Sequence, residues 1–266
     1  MKFSFCLETL YTECPFIERL TAAKKDGIES IEIWGWRDKD SDVLLHQMEK
    51  LNISLSNMSG NRQFGMIDPY ERRSFLQELS EAAAFAKSLN CSTLMLLSES
   101  LAEDGGAVPI STPLTSHEKV KQIIACGIQV SELAENLDLQ IAIEPLNDIL
   151  DHPRFFLNSS QLAFQIIKEI NHPRVKVLYD IYHMAMMEEN ILRDIEDNFD
   201  YIGYFHMADK PGRHEPGSGN IDFRSIWSLL KTLQYDGVVG FEFYPSRGNS
   251  QKAIRIILNF ISNIIN

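Results

Sequence analysis

Eight short apolar segments, each followed by a segment of helical periodicity, recur along the 266-residue chain. The apolar segments are rich in the β-branched and aromatic residues that strands favour, and the segments between them repeat apolar residues three and four positions apart. Strands joined by crossover helices form a parallel sheet, and eight such units close into a (β/α)8 TIM barrel. No linker-like stretch interrupts the pattern, so we predict one α/β domain over residues 1–266. The predicted strands are Lys2–Leu7, Ser30–Trp34, Asn52–Met58, Thr93–Leu97, Leu139–Ile143, Val175–Tyr179, Tyr201–Phe205 and Val238–Phe241.

The segments between the strands predict amphipathic helices. The last of them places Ile254, Ile257, Ile261 and Ile264 on one apolar stripe. The longest irregular segment, Ser98–Ser116, has two glycines and two prolines, and loops of that length in compact domains tend to be functional. The predicted helices are Pro15–Gly27, Ser41–Leu51, Tyr70–Leu89, Glu118–Asn136, Ser160–Ile170, most of Met184–Phe199, Phe223–Gln234 and Ser250–Ile264.

The charge and the cysteines limit the classes of partner. With 25 basic and 37 acidic residues the net charge is −12, which repels nucleic acid and anionic membranes. No apolar run is long enough to cross a bilayer, and the N-terminal segment carries Glu8 and Glu13 where a signal peptide needs an apolar core. The four scattered cysteines are typical of a reducing compartment. We therefore expect a cytoplasmic protein that binds neither nucleic acid nor membrane.

The predicted strand Tyr201–Phe205 leads into the most polar loop of the chain. It stops at His206, and two prolines and three glycines between Lys210 and Asn220 exclude regular structure there. This loop carries Arg213 among other charged residues. A strand that ends in polar residues and continues into a stiff charged loop is typical of a site at the mouth of an α/β barrel.

Four consecutive strands end in residue types that bind metal ions. In a parallel barrel all strand ends open on one face, so these side chains are expected to converge. Three carboxylates there would repel one another, and one bound divalent cation would remove that repulsion. Three oxygen ligands and one imidazole suit Mn²⁺ or Mg²⁺ best, and Zn²⁺, Co²⁺ or Fe²⁺ less well. The four candidate ligands are Glu144, Asp180, His206 and Glu242.

Several neighbours of these strand ends have two interpretations each. His183, three residues beyond Asp180, could orient a substrate hydroxyl or a metal ligand, or be an ordinary helix residue. Arg213 could bind a substrate oxygen or a neighbouring carboxylate. Trp34, Trp36 and Phe64 lie in predicted mouth-side loops, where they could line a pocket or simply pack.

The motifs around these strand ends resemble the xylose isomerase-like TIM-barrel superfamily of sugar isomerases and epimerases. Within it, the hydroxypyruvate isomerase family is nearest, with the tagatose 3-epimerase group close behind. The resemblance implies one divalent ion on Glu144, Asp180, His206 and Glu242. It also implies that Glu144 and Glu242 act as the acid/base pair, with His183, Arg213 and Asp151 at the substrate. The motifs are Glu144-Pro145-Leu146-Asn147, Tyr179-Asp180-Ile181-Tyr182-His183-Met184, His206–Gly217 and Gly240-Phe241-Glu242-Phe243.

The chain departs from the isomerase pattern in three places. Hydroxypyruvate isomerases usually carry Gln at the position of His206, whereas the epimerases carry His. The segment 147–154 is one residue longer than the isomerase motif, although Asp151 still aligns with the family aspartate. The loop that begins at Ser59 also lacks the isomerase pattern. The chemistry is thus better specified than the substrate.

We therefore predict an enzyme that isomerises or epimerises a small ketose or α-hydroxy carbonyl compound. One glutamate would remove the proton from the C–H bond beside the carbonyl, giving a cis-enediolate with the ion as Lewis acid. The second glutamate would then give a proton of its own to the neighbouring carbon or to the opposite face of the same carbon. The alternatives are a metal-dependent nuclease for abasic DNA and a non-catalytic sugar-binding barrel. Seven histidines and the charge of −12 argue against the nuclease. Assembly into a homo-oligomer is left open.

Overall fold

In the computed structural model, which describes residues 1–265 and side chains as far as residue 262, eight parallel strands close into one barrel. Each strand pairs with its neighbour in sequence, and the first pairs with the last, as the sequence predicts. The strands are β1 Lys2–Cys6, β2 Ser30–Ile33, β3 Ser54–Ser59, β4 Thr93–Leu96, β5 Gln140–Ile143, β6 Val175–Asp180, β7 Ile202–His206 and β8 Val238–Phe241.

Helices follow the strands around the outside of the barrel. A short 3-10 turn at Phe199–Tyr201 precedes β7. Among the described residues, no helix is both long enough and apolar enough to span a bilayer. The helices are α1 Phe16–Lys25, α2 Ser41–Leu51, α3 Arg72–Ser88, α4 Ser116–Leu137, α5 Ser160–Ile170, α6 Ile181–Met186, α7 Ile191–Asn198, α8 Phe223–Thr232 and α9 Ser250–Ile265.

Several predicted boundaries differ from the observed ones for local reasons. Met184–Phe199 is mostly helical, as predicted, but it is divided between α6 and α7, and Glu188 between them takes a positive φ of 58°. Helix α4 begins before Glu118, because the Thr115 side chain and Glu118 form a reciprocal capping box. Strand β3 begins at Ser54 rather than Asn52, since Asn52 ends α2 in the left-handed conformation.

The hydrophobic core has two parts, one outside the sheet and one inside it. Side chains such as Phe75, Phe164 and Trp227 fill the layer between helices and strands. Met95, Ala142, Leu178 and Tyr204 form a smaller cluster of their own. On α9 the predicted stripe is buried at Ile254, Ile257 and Ile261, while the Ile264 side chain lies outside the described residues.

The long loop after β4 folds back on itself and contacts the loop after β5. Leu101 and Ala107 form an antiparallel bridge, and the Ala107 N–H donates to the Pro153 carbonyl. At Gly105, where φ is +81°, a Cβ atom would lie 2.8 Å from the Asp151 carbonyl oxygen. Glycine is therefore required for the two loops to approach this closely.

Candidate active site

The four predicted ligand residues converge at the carboxyl ends of β5 to β8. Asp180 and His206 are the last residues of β6 and β7, whereas Glu144 and Glu242 directly follow β5 and β8. One ligand atom from each residue lies within 4.8 Å of all the others, and all four residues are buried. The parallel topology thus brings together residues that are far apart in the sequence.

The imidazole of His206 lies between carboxyl groups on both of its edges. Its Nδ1 is 3.3 Å from Glu144 Oε1 and 3.1 Å from Glu242 Oε2, and its Nε2 is 2.8 Å from Glu32 Oε2. Burial alone would lower the pKa of His206, but these three carboxyl groups raise it well above its usual value. Glu32 was not among the predicted site residues, although its lone charge within the otherwise uncharged strand Ser30–Ile33 was a signal for it.

Arg213 is buried against the ligand cluster. Its Nη2 donates to Glu242 Oε2 at 2.9 Å and to Asp180 Oδ2 at 3.4 Å. Arg213 was predicted to bind either a substrate oxygen or a neighbouring carboxylate. In the structure it contacts the neighbouring carboxylates, and it also lines the cavity. The backbone at Arg213 has a φ of 54°, within the stiff loop that the sequence predicts.

Glu144 and Glu242 have different surroundings, so their pKa values are shifted in opposite directions. Burial raises the pKa of Glu144 to about 7, only partly offset by His206. Burial also acts on Glu242, but there Arg213, His206 and the indole N–H of Trp34 outweigh it and lower the pKa. The Trp34 Nε1 lies 2.5 Å from Glu242 Oε1.

His183 is held by Asp180 at the end of β6 and by Asn147 after β5. Asp180 caps α6 by accepting hydrogen bonds from the backbone N–H groups of Tyr182 and His183. Asn147 Nδ2 lies 2.7 Å from His183 Nδ1, an arrangement in which the amide donates and the ring proton is on Nε2. Among the described residues the buried Nε2 has no hydrogen-bond partner, although Asp180 Oδ2 lies 3.6 Å from it, and His183 lines the cavity. An unpaired buried donor of this kind can bind a substrate oxygen.

Asp151 also lines the cavity, but it has protein partners. Its Oδ2 accepts hydrogen bonds from Asn147 Nδ2 at 2.7 Å and from the Tyr182 hydroxyl at 2.8 Å. Asp151 therefore orients Asn147, which in turn orients His183. Asn147 and Tyr182 belong to the motifs at the strand ends, but no role was predicted for either.

A cavity of about 400 Å³ opens above the ligand cluster. Trp34 lines it as expected, but Trp36 and Phe64 are not among its lining residues, and both instead pack against the hydrophobic core. Trp36 faces Phe85, with ring centroids 5.9 Å apart. The long loop after β4 contributes one wall, from Leu101 to Gly105, and Arg62, His152 and Tyr244 contribute to the others.

The donor set fits a divalent cation. Ligand atoms of three carboxyl groups and one imidazole lie within 4.8 Å of one another. Arg213 contacts Glu242 and Asp180, and His183 Nε2 lies 3.6 Å from Asp180 Oδ2. Burying so many carboxyl groups without a further positive charge is unfavourable. A hard divalent ion with oxygen and nitrogen ligands would supply that charge.

Comparison with known proteins gives relatives of the same length. The chain is 27% identical over 274 residues to a putative hydroxypyruvate isomerase of Xenopus laevis, covering 99% of this chain and 97% of the relative. It is 28% identical over 257 residues to the hydroxypyruvate isomerase of Escherichia coli K12, covering 92% and 94%. The predicted enzyme class, isomerase, is confirmed by these relatives.

Solved structures share the fold at lower identity. An AP endonuclease, family 2, from Brucella melitensis superimposes with a TM-score of 0.86 at 23% identity, covering 97% of this chain and 98% of that one. D-Psicose 3-epimerase from Clostridium cellulolyticum H10 gives 0.78 at 20% identity, covering 97% and 92%. At these identities the likeness concerns the fold alone.

The sequence profile described as xylose isomerase-like TIM barrel matches residues 20–263, which is most of the chain. This match agrees with the barrel topology and with the motifs at the ends of its last four strands. The chain belongs to the xylose isomerase-like TIM barrel family.

Proposed function

We propose that this isomerase is metal-dependent and acts on a small ketose or α-hydroxy carbonyl compound. The observation that carries the proposal is the convergence of Glu144, Asp180, His206 and Glu242, of which Glu144 and Glu242 line the cavity. Bound there, a divalent ion would supply Lewis-acid polarisation of the substrate carbonyl. Mn²⁺ or Mg²⁺ suits the oxygen-rich donor set best.

The two glutamates are the proposed acid and base. A C–H bond beside a carbonyl is broken by a positioned base, and the proton returns to the neighbouring carbon or to the other face of the same carbon. The buried carboxyl groups of Glu144 and Glu242 both contact His206 Nδ1, at 3.3 Å and 3.1 Å. An enediolate formed between them would be reprotonated by the second glutamate, whose proton exchanges with solvent.

The other cavity residues hold the substrate. In this proposal the unpaired Nε2–H of His183 donates to a substrate oxygen, and Arg213 keeps Glu242 in place while lining the same cavity. Trp34, Leu101 and Leu146 give apolar surface that excludes water from the reacting carbons. Asp151 acts on the substrate through Asn147 and His183 in this proposal.

The relatives suggest the first substrates to test. Hydroxypyruvate is the substrate named for the Escherichia coli relative, and a 2-oxo-tetronate isomerase of Pectobacterium atrosepticum is 23% identical over 261 residues. His206, which resembles the epimerase pattern, makes ketohexoses the second group. With a net charge of −12, we also propose a cytoplasmic enzyme of small molecules rather than of nucleic acid.

Turnover of this panel in D₂O tests the proposal. We expect conversion of at least one substrate, with deuterium at the carbon that is reprotonated, and about one equivalent of bound ion per chain. Product without deuterium at that carbon would indicate hydride transfer and refute the glutamate roles. Cleavage of abasic DNA with two or three tightly held zinc ions would instead support the nuclease alternative.

A further inference from the structure

Glu32 on β2 is a buried carboxyl group that contacts the cluster without belonging to it. Its side chain is 4% exposed, and its Oε2 lies 2.8 Å from Nε2 of His206. Its other oxygen, Oε1, accepts a hydrogen bond of 2.6 Å from the Tyr204 hydroxyl. Glu32 therefore contacts the edge of the imidazole that faces away from Glu144 and Glu242.

A chain of hydroxyl groups anchors Glu32 from behind. The Tyr204 hydroxyl is 3.0 Å from Ser56 Oγ, which lies 2.6 Å from Ser4 Oγ and 3.1 Å from the Ile31 carbonyl oxygen. These side chains come from β1, β3 and β7, so the chain of polar groups crosses the inside of the barrel. This chain restrains Oε1 of Glu32, while Oε2 is left to contact His206.

Gly240 on β8 leaves the space that this arrangement needs. A Cβ atom there would lie 2.1 Å from Glu32 Oε1 and 2.8 Å from Cδ2 of His206. The glycine thus allows a carboxyl group from β2 to reach an imidazole from β7. A side chain at residue 240 would push the two groups apart.

We propose that Glu32 is a positioning residue that fixes the tautomer and orientation of His206. A neutral imidazole has one N–H, and the hydrogen bond made by one nitrogen decides what the other can do. With Nε2–H donating to Glu32, the lone pair of Nδ1 faces Glu144 and Glu242, where the proposed ion would be held. A carboxyl partner also makes the ring a more basic ligand. This inference rests on the proposed function.

A purely structural role for Glu32 predicts a different result. Removing a buried hydrogen-bonded carboxyl would then lower the free energy of unfolding and leave the metal affinity unchanged. A positioning role predicts weaker metal binding in a protein that is still folded. The dissociation constant for the metal, measured apart from turnover, separates the two.

The test is a Co²⁺ titration of the full chain, followed by visible absorption, with thermal unfolding of the metal-free protein as a second measurement. Glu32→Leu keeps the volume but removes the acceptor, and we expect Kd to rise by roughly 10–100-fold and the cobalt spectrum to change. Glu32→Gln keeps an oxygen that can accept from Nε2–H, so it should restore most of the affinity. Tyr204→Phe removes the anchor and should weaken binding by less than Glu32→Leu does.

Asp194→Asn is the matched control. Asp194 is also a buried carboxyl beside a tyrosine hydroxyl, 3.4 Å from that of Tyr179, but it lies on α7 away from the cluster. Its substitution should lower the unfolding temperature and leave the cobalt Kd unchanged.

The outcomes distinguish this inference from the function on which it rests. A parent chain that binds no Co²⁺ would refute the metal site itself. A parent that binds Co²⁺, with Glu32→Leu folded and its Kd within about twofold of the parent value, would overturn only the role of Glu32. Should Glu32→Leu not fold, an unchanged Kd in Tyr204→Phe would overturn it.

Discussion

At the scale of single residues, Glu144 and Glu242 have different contacts. Glu242 contacts Arg213, His206 and the Trp34 indole, whereas Glu144 contacts His206 alone among these groups. Burial therefore dominates at Glu144 and raises its pKa, while the neighbouring donors lower that of Glu242. Two carboxyl groups held in different environments are suited to different halves of a proton transfer.

Replacing either glutamate by glutamine tests this pair. Glutamine keeps an oxygen for the proposed ion but cannot accept the substrate proton, so kcat should fall by roughly 10²–10⁴ while the fold is retained. Steady-state kinetics and circular dichroism measure the two effects. Glu99→Gln, at a buried carboxyl bonded to Ser98 and to the Phe156 N–H, is the control and should leave kcat unchanged. Full activity in Glu144→Gln would remove that residue from the mechanism.

The cysteines give a second prediction for single residues. Cys6, Cys91 and Cys126 are buried free thiols, and burial raises the pKa of Cys91 and of Cys126 to about 12. Because the thiolate is the reactive form, only the half-buried Cys14 should react rapidly with an aromatic disulfide reagent in the folded protein. All four should react in denaturant, and Cys14→Ser should abolish the rapid phase. Rapid reaction of a second thiol in folded protein would contradict this packing.

Among the structural elements, the loop after β7 is organised by a single buried carboxyl group. Asp209 accepts four backbone hydrogen bonds, from the N–H groups of Lys210, Gly217, Gly219 and Ile221. The Arg213 carbonyl also accepts from the Tyr244 N–H, so the loop is attached to the segment after β8. Asp209 thus fixes the backbone that presents Arg213 to Glu242.

Asp209→Asn should loosen this loop. The amide nitrogen cannot accept hydrogen bonds, so up to two of the four are lost, and we expect the free energy of unfolding to fall by roughly 2–4 kcal/mol. Turnover should fall by about tenfold, because Arg213 is less well held. Urea unfolding and steady-state kinetics measure both.

Asp222→Asn is the control for that change. Asp222 lies at the end of the same loop, where it is exposed and caps α8 by accepting from Ser225. Since asparagine caps helices about as well, stability and turnover should stay near parent values. If Asp209→Asn behaves like Asp222→Asn, the loop does not depend on Asp209.

The sequence predicts the elements that are specified by a pattern of neighbouring residues. Periodicity and strand-end residues gave the eight units and the four converging residues, because parallel strands all present their ends on one face. The contact between Glu32 and His206 depends on how β2 and β7 face each other across the barrel, which no local pattern contains. Trp36 shows the same limit, since its position near the mouth did not reveal that it packs on Phe85.

At the scale of the whole molecule, barrel closure couples the candidate site to global stability. The four clustered residues belong to four successive βα units, and Glu32 links them to the second. An ion held there would connect segments that separate on unfolding. Binding to the folded state alone stabilises a protein by mass action.

Unfolding of the whole chain should therefore depend on metal concentration. At a free ion concentration 100 times Kd, the stabilisation is about 2.7 kcal/mol, which for a chain of this size raises Tm by roughly 5–10 °C. Thermal unfolding with Mn²⁺, compared with unfolding in the presence of a chelator, measures the shift.

Asp180→Asn is the informative variant, because its remaining oxygen can still cap α6 at Tyr182 and His183 while one ligand charge is lost. Because Arg213 also loses an acceptor at Asp180 Oδ2, the Tm of this variant without metal is its own baseline, and its metal-dependent rise should be smaller at the same ion concentration. If Mn²⁺, Mg²⁺, Co²⁺ and Zn²⁺ all leave the Tm of the parent unchanged, these four residues do not bind a divalent ion.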